Sequence, residues 1–142
     1  MNLGDAGTKL IQSFEECRLV AYLDQRGRWT IGWGHTGPEV VEGLTCTQEQ
    51  ADAWFIEDTQ TAVNAVNASL ELMPTQNEFD ALVSFTFNVG ASAEEHSTLL
   101  RAFNTGNIPA AAAEFPKWDH INGVENAGLK RRRLAEQALF LT

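Results

Sequence analysis

Two adjacent glutamates, Glu15 and Glu16, precede an aspartate, Asp24, and a threonine, Thr30, and side chains of these types can carry out acid–base hydrolysis. A carboxyl group can donate a proton to a leaving oxygen, while a carboxylate and a hydroxyl hold the water that attacks. Inverting hydrolysis of a glycosidic bond divides the work in this way, with the two carboxyl groups roughly 6.5–9.5 Å apart. The fold must therefore turn one of the two glutamates toward Asp24.

The glutamates lie near the end of a predicted first helix, over residues 3–17, with Ile11 on its apolar side. On a wheel of about 100° per residue, Glu15 falls at the edge of that apolar side, whereas Glu16 points away from it into solvent. Desolvation at such an edge favours the protonated form of a carboxyl group. The helical pattern favours Glu15 as the acid, and the alternative is that both glutamates are solvated side chains.

The segment after this helix has the pattern of a small antiparallel sheet. Large side chains alternate from Trp29 to His35, and Gly27 suits a three-residue loop, with its glycine in the left-handed region, before a strand over residues 28–31. The strand before this loop ends at Asp24. The sequence therefore predicts a hairpin whose turn begins at Asp24.

The register of this hairpin decides whether Asp24 can act with Thr30. If Asp24 pairs with Arg28, then Tyr22 pairs with Thr30, and Asp24 and Thr30 become diagonal neighbours roughly 7–8 Å apart. A water could then be held between the carboxylate and the hydroxyl. The simpler alternative is that Asp24 only forms the turn.

Downstream of the hairpin the pattern predicts only helices. The runs at residues 47–50 and 75–78 have the form of capping boxes, which open a long helix to about residue 70 and a second helix that closes near Gly90. Shorter helices are expected over residues 97–103, 108–118 and 129–141. The predicted fold class is therefore α+β, with the strands segregated near the N-terminus.

A chain of 142 residues fits one catalytic domain, which we expect to have two lobes. The N-terminal lobe with the hairpin would cover about residues 15–46, and the long connecting helix about residues 47–70. A helical lobe of about residues 71–142, with the first helix packing on it, would complete the domain. A cleft between the lobes is the usual place for a substrate.

Composition narrows the possible partners and compartments. With 19 acidic and 10 basic residues the net charge is −9, which disfavours nucleic acid and anionic membranes. The cations at residues 130–133 either meet an anionic group or form a solvated helix face. With no apolar span and no signal-like segment, we expect a protein made soluble in the cytosol, with Cys17 and Cys46 as reduced thiols.

The candidate residues belong to a longer pattern that resembles a known family. The first and most specific part of the pattern consists of Phe14, Glu15, Arg18, Leu19, Ala21, Tyr22, Asp24, Gly27, Thr30, Ile31, Gly32, Gly34, His35 and Thr36. It resembles the signature of the phage-type lysozymes, the muramidase endolysins related to the T-even phage enzyme. Later segments at residues 87–90, 97–101 and 128–140 agree in order, so the resemblance covers essentially the whole chain and implies a lysozyme-like fold.

The resemblance implies that Glu15 is the general acid and that Asp24 and Thr30 position the attacking water. The substrate would be the β-1,4 bond between N-acetylmuramic acid and N-acetylglucosamine in bacterial peptidoglycan, cut for host cell lysis. No cofactor or metal is implied. The partners would be glycan strands and a separate holin-type protein, with no nucleic acid and no stable membrane insertion. A monomer would wait in the host bacterial cytoplasm until its release to the periplasm and cell wall.

Four further positions take their expected roles from the resemblance. Thr36, Phe87 and Asn88 match positions that line the family's cleft and would contact substrate, although Phe87 fits equally well as a core residue. His35 matches a histidine with a structural role in the sheet. A cation from residues 130–133 would pair with the general acid across the cleft.

One position departs from the family pattern, because Glu16 stands where the family usually has glycine. If this position needs a positive φ, the glutamate costs on the order of 1 kcal/mol, and if it is helical there is no cost. Two alternatives to a hydrolase are a catalytically inactive peptidoglycan-binding homologue and a lytic transglycosylase. A metal-dependent hydrolase is a weaker alternative, because the chain has no HExxH motif or paired-histidine spacing.

Overall fold

The structure, a computed structural model, describes residues 1–142 and contains seven α-helices, five short β-strands and one 3₁₀ turn. In chain order the elements are α1 (Asp5–Glu15), β1 (Arg18–Leu23), β2 (Trp29–Gly32), β3 (His35–Thr36), α2 (Gln48–Ser69), α3 (Gln76–Val89), α4 (Ala91–Glu95), α5 (Thr98–Asn104), α6 (Ile108–Glu114), the 3₁₀ turn (Phe115–Lys117), β4 (His120–Ile121), β5 (Val124–Glu125) and α7 (Ala127–Phe140). The predicted α+β class is confirmed.

The hairpin has the predicted register. Strands β1, β2 and β3 form an antiparallel sheet in that order, and Tyr22 pairs with Thr30. The Asp24 amide donates to the carbonyl of Arg28 over 2.9 Å, and Gly27 has a φ of 77° in the turn. Asp24 and Thr30 are therefore diagonal neighbours, as the sequence indicates.

The alternation of large side chains from Trp29 to His35 is divided between two strands. The chain reverses after β2, so that Ile31 pairs with His35 across a second tight turn. Gly32 and Gly34 have φ values of 63° and 79°, which most residues cannot adopt without strain. This reversal brings β3 back along β2 and points the Gly34 backbone toward α1.

Helix α1 is held at its N-terminus by a buried carboxylate of α3. Asp80 accepts hydrogen bonds from the amides of Gly4 and Gly7, at 2.9 and 3.1 Å, and so satisfies two N–H groups that a helix start leaves free. A Cβ atom at Gly7 would lie 2.8 Å from the Asp80 Cβ, so this close approach depends on glycine.

The predicted helix starts are present, but the expectation of only helices after α2 is wrong. Thr47 caps α2, and Thr75 and Glu78 form a complete capping box on α3. Strands β4 and β5 form an additional hairpin whose turn has Asn122 and Gly123 at φ values of 51° and 78°. A two-residue turn of this kind favours an Asn-Gly pair, which the helical prediction overlooked.

One hydrophobic core joins most of the helices. Its 16 buried residues come from α1, α2, α3, α5, α6, α7 and the 3₁₀ turn, and they include Ile11 of α1. Four phenylalanines make edge or tilted contacts within it, with Phe115 at 5.7 Å from Phe85 and 5.3 Å from Phe140. This core fixes the relative positions of α1, α3 and α7, which carry one wall of the candidate site. The division into two lobes stays a prediction.

Candidate active site

A cleft of about 740 Å³ lies between the hairpin sheet and helices α3 and α7. Its lining contains every residue predicted to act on or contact a substrate, namely Glu15, Asp24, Thr30, Thr36, Phe87 and Asn88. Residues separated by up to 73 positions in the chain therefore meet at one surface. His35 does not line the cleft.

Glu15 is the last residue of α1, and its carboxyl group is held from two sides. The side chain is 17% exposed, and Arg132 of α7, 4% exposed, donates from Nη1 to Oε1 over 2.6 Å. On the other side a Cβ atom at Gly34 would lie 2.7 Å from the Glu15 Cδ and closer still to Oε2. Only glycine at position 34 leaves room for the carboxyl group.

Glu16 is the residue that ends α1, and it points into solvent as predicted. Its φ of 53° and ψ of 152° lie in a region that is essentially restricted to glycine. Position 16 therefore has the positive φ that suits glycine and is not helical, and the strain of a glutamate there costs about 1–3 kcal/mol. This abrupt change in chain direction turns Glu15 toward Arg132 and Gly34, whereas Glu16 is an exposed residue of the cleft lining.

Asp24 forms the turn and also lines the cleft, so its place in the turn leaves it accessible from the cleft. Its Oδ1 accepts hydrogen bonds from the amides of Arg26 and Arg28 at 2.9 and 2.8 Å, and Arg28 Nε approaches Oδ2 at 3.2 Å. Thr30 is buried, and its hydroxyl donates to the carbonyl of Arg28 over 3.0 Å. The Thr30 oxygen can therefore still accept a hydrogen bond. Asp24 Oδ2, whose one contact is with Arg28 Nε, can accept another as well.

Behind Glu15 lies a buried charge cluster on α7. Glu136 is fully buried: Arg132 Nε lies 3.4 Å from its Oε2, and Ser84 donates to the same oxygen over 2.5 Å. Arg133 Nε lies 2.7 Å from Glu136 Oε1 in a contact too bent for a hydrogen bond. Burial raises the pKa of Glu136 and lowers that of Arg133 to about 10. The solvated-face interpretation of residues 130–133 is therefore wrong for Arg132 and Arg133.

Asn88 receives its orientation from this cluster. Arg133 Nη2 donates to the Asn88 Oδ1 over 2.9 Å, which leaves the amide nitrogen of Asn88 as the free group in the cleft lining. Phe87, next to it, is half-buried and packs against Phe55 with the ring centroids 6.1 Å apart. Phe87 therefore both lines the cleft and extends the core.

Tyr22 is a cleft residue that the sequence analysis did not select. It is half-buried, and the guanidinium of Arg18 lies 4.4 Å from its ring centroid. Burial raises the pKa of Tyr22, and the negative charge of Glu15 raises it further. The predicted pairing of Tyr22 with Thr30 was the signal that could have identified it, because directly paired residues share one face of a sheet.

His35 lies on the other face of the sheet, between two carboxylates. Its Nδ1 is 2.7 Å from Asp58 Oδ2, its Nε2 is 2.6 Å from Glu39 Oε1, and its ring stacks on Trp54 at 4.5 Å. Burial alone would lower the pKa of His35, but the hydrogen bonds to the two carboxylates outweigh it, and the pKa is raised. No group of three or more His, Cys, Asp or Glu side chains is arranged to hold a metal ion.

The family is decided by comparison with known proteins. The family model of phage lysozyme matches residues 12–136. The chain belongs to the phage lysozyme family. No helix of the chain combines the length and the apolar composition needed to cross a membrane.

Relatives of this chain include proteins of about its own length and longer ones. The endolysin of Salmonella phage P22 is 39% identical over 146 residues, which cover all of this chain and 99% of that protein. The endolysin of Bacillus phage PZA is 44% identical over 99% of this chain, and the chain spans only 55% of its length. The muramidase domain of SpmX from Asticaccaulis excentricus has the same fold, with a TM-score of 0.88 and 43% identity, covering 99% of this chain and 98% of that domain.

Proposed function

We propose that this protein is a muramidase endolysin, which hydrolyses the β-1,4 bond between N-acetylmuramic acid and N-acetylglucosamine in bacterial peptidoglycan. The observation that carries the proposal is the meeting of Glu15 with Asp24 and Thr30 in one cleft, with the Glu15 carboxyl held between Arg132 and Gly34. Membership in the phage lysozyme family supports it. A binding module would not need an acid facing a water-holding pair.

Glu15 acts as the general acid through the oxygen that Arg132 leaves free. Because Arg132 donates to Oε1, the proton resides on Oε2, which lies against Gly34. As the bond between the sugar C1 and the bridging oxygen breaks, this proton passes to the oxygen of the leaving sugar. The fixed carboxyl position supplies the orientation that such a transfer needs.

Asp24 and Thr30 hold the attacking water on the opposite side. The water donates one hydrogen bond to Asp24 Oδ2 and one to the Thr30 oxygen, because the Thr30 hydroxyl proton is already directed at the Arg28 carbonyl. The water oxygen attacks C1 while one of its protons moves to Asp24. The configuration at C1 is therefore inverted.

The other cleft residues bind the sugar. Thr36 pairs with Thr30 on the neighbouring strand, so its side chain extends the polar face that holds the water. The free amide nitrogen of Asn88 can donate to a carbonyl of an N-acetyl group, and Phe87 offers an apolar surface beside it. His35 is structural, because both ring nitrogens are engaged outside the cleft.

In the cell this protein acts in host lysis. It waits as a monomer in the host bacterial cytoplasm until a separate holin-type protein gives it access to the periplasm and cell wall, as the family resemblance implies. Its partners are glycan strands rather than nucleic acid, in keeping with a net charge of −9.

Loss of turbidity of outer-membrane-permeabilised Gram-negative cells tests the proposal. We expect rapid clearing by the parent and by Glu16→Gln, and almost none by Glu15→Gln. Mass spectrometry of the fragments should show reducing muramic acid ends, whereas anhydro ends would indicate a lytic transglycosylase. If the parent clears nothing and releases no fragments from purified walls, the chain is a peptidoglycan-binding homologue. If only Glu16→Gln is inactive, the acid is assigned to the wrong residue.

A further inference from the structure

Positive charge is concentrated in the cleft although the protein is acidic. The lining holds five of the 10 basic residues and only three of the 19 acidic ones, a net of +2. The rest of the chain therefore holds five basic and sixteen acidic residues, a net of −11. Charge separation on this scale directs an anionic ligand to the cleft.

Three of the five cleft arginines have no carboxylate partner. Arg28 is paired with Asp24, and Arg132 is paired with glutamates. Arg18 lies over the Tyr22 ring. Arg26 and Arg131 are exposed, make no ion pair and contact no aromatic ring. The proposed hydrolysis uses neither of these two side chains.

Arg26 and Arg131 stand on opposite walls that a hydrogen bond ties together. The turn between β1 and β2 carries Gln25 and Arg26, and α7 follows its N-cap residue Asn126. The amide nitrogen of Asn126 donates to Gln25 Oε1 over 2.7 Å. Arg131 lies on α7 little more than one turn beyond this bond. The field of Arg26 also reaches α7, where it contributes, after burial and the charge of Arg132, to the lowered pKa of Arg133.

We propose that Arg26 and Arg131 form an anion-binding subsite for a free carboxylate of the peptide stem on the muramic acid residue. The inference rests on the proposed function. The sugars themselves offer no charge, because the carboxyl of muramic acid is consumed in its amide bond to the peptide. The remaining anionic groups of the strand are the side-chain and terminal carboxylates of that stem. A guanidinium on each wall can bind such a carboxylate with charge-assisted hydrogen bonds.

The test uses purified sacculi freed of teichoic acid, half of them treated with carbodiimide and methylamine. This treatment converts free carboxylates to neutral methylamides and leaves the glycan intact. Release of reducing ends gives kcat/KM for the parent, for Arg26→Gln/Arg131→Gln, and for Lys9→Gln/Lys117→Gln. The last variant also removes two exposed cations, but outside the cleft.

We expect the parent to be roughly 3- to 10-fold slower on the methylamidated sacculi, the effect of one or two charge-assisted hydrogen bonds. The arginine variant should be as slow on both substrates as the parent is on methylamidated sacculi, and the lysine variant should behave like the parent. Equal rates of the parent on both substrates would overturn the subsite. The subsite would also be overturned if the arginine substitutions lowered kcat/KM by the same factor on untreated and on methylamidated sacculi. The same holds if they lowered it only on walls that retain teichoic acid.

Binding separates failure of this subsite from failure of the proposed function. Co-sedimentation of the Glu15→Gln variant with the two sacculus preparations needs no cleavage. If the parent releases no reducing ends, the muramidase proposal fails. In that case the subsite still stands if methylamidation of the sacculi and substitution of the two arginines each weaken binding. It is overturned if neither change weakens binding.

Discussion

At the level of single residues, the position of Glu15, the general acid of our proposal, depends on the absence of a side chain at Gly34. We predict that Gly34→Ala lowers the rate of wall hydrolysis by about 100-fold, because a Cβ atom would lie 2.7 Å from the Glu15 Cδ and displace the carboxyl group. The φ of Gly34 is 79°, so the substitution also strains the backbone.

Gly27→Ala is the matched control for Gly34→Ala. Gly27 has nearly the same φ, 77°, but a Cβ atom there meets nothing within 4 Å. Both variants should lose about 1–2 kcal/mol of unfolding free energy in urea, and only Gly34→Ala should lose activity steeply. Equal activities of the two variants would show that Gly34 does not set the position of Glu15.

Glu16 gives a second prediction at this scale. Because its backbone lies in the glycine region, Glu16→Gly should raise the unfolding free energy by about 0.5–2 kcal/mol, after the larger entropy of a glycine in the unfolded chain is subtracted. Glu16→Gln and Glu16→Ala keep the Cβ atom and should give no such gain. Urea unfolding of the three variants checks this, and a similar gain in Glu16→Ala would assign the effect to charge or helix propensity.

Glu15, Asp24 and Thr30 could be predicted as cleft residues from the sequence because their positions follow from local structure. A helical wheel places Glu15, and the register of one hairpin places Asp24 and Thr30. It could not select Arg132 among four cations, because its pairing with Glu15 spans 117 residues and depends on how α7 packs. The space that Gly34 leaves for the Glu15 carboxyl group could not be predicted from the sequence for a similar reason. Space around a side chain is a property of the assembled fold.

At the level of elements, the His35 cluster joins β3 to α2 through Asp58 and to the following loop through Glu39. Because the pKa of His35 is raised in the folded state, the folded protein binds its proton more tightly than the unfolded chain does. The stability from this proton is fully present below the ordinary histidine pKa of about 6.5 and is lost as the pH rises through the raised pKa. We therefore expect the unfolding free energy to fall over that window.

Urea titrations from pH 5.5 to 8.5 measure this slope. The carboxyl of Asp58 also has a raised pKa, caused by burial, and contributes with the same sign, but its ordinary value is near 3.8, so its contribution begins to fall at more acid pH. His35→Gln should flatten the slope, whereas His96→Gln, far from the sheet, should keep it. A parent slope that survives in His35→Gln would place the titrating group elsewhere.

The elements were predictable in proportion to their length. Capping residues such as Thr75 and Glu78 indicated where the long helices begin. Strands of two residues, such as β3, β4 and β5, have no period to detect. Their signals are the glycines of the turns, at positions 34 and 123, and the prediction made no use of either as a turn.

At the level of the whole molecule, the net charge of −9 describes the average surface and not the substrate site. The positive lining of the cleft suits the anionic wall that we propose as the substrate, although the chain as a whole is acidic. Because the charges of Arg26 and Arg131 are exposed, salt should screen their contribution. The buried contact of Glu15 with Arg132 should be affected much less.

The hydrogen bond between Gln25 and Asn126 joins two residues of the cleft lining, and we expect a long glycan strand that enters from the side to break it. We predict that Gln25→Ala lowers KM for wall fragments by roughly 2- to 10-fold, because a bond of about 0.5–1.5 kcal/mol no longer favours the closed form. Asn126→Ser is the matched variant. It removes the donor to Gln25 but keeps an oxygen to cap α7, where Asn126 Oδ1 now accepts from the Leu129 amide. The two single variants and the double variant should therefore have the same KM. Additive effects on KM in the double variant, or an unchanged KM in both single variants, would show that this bond does not control entry.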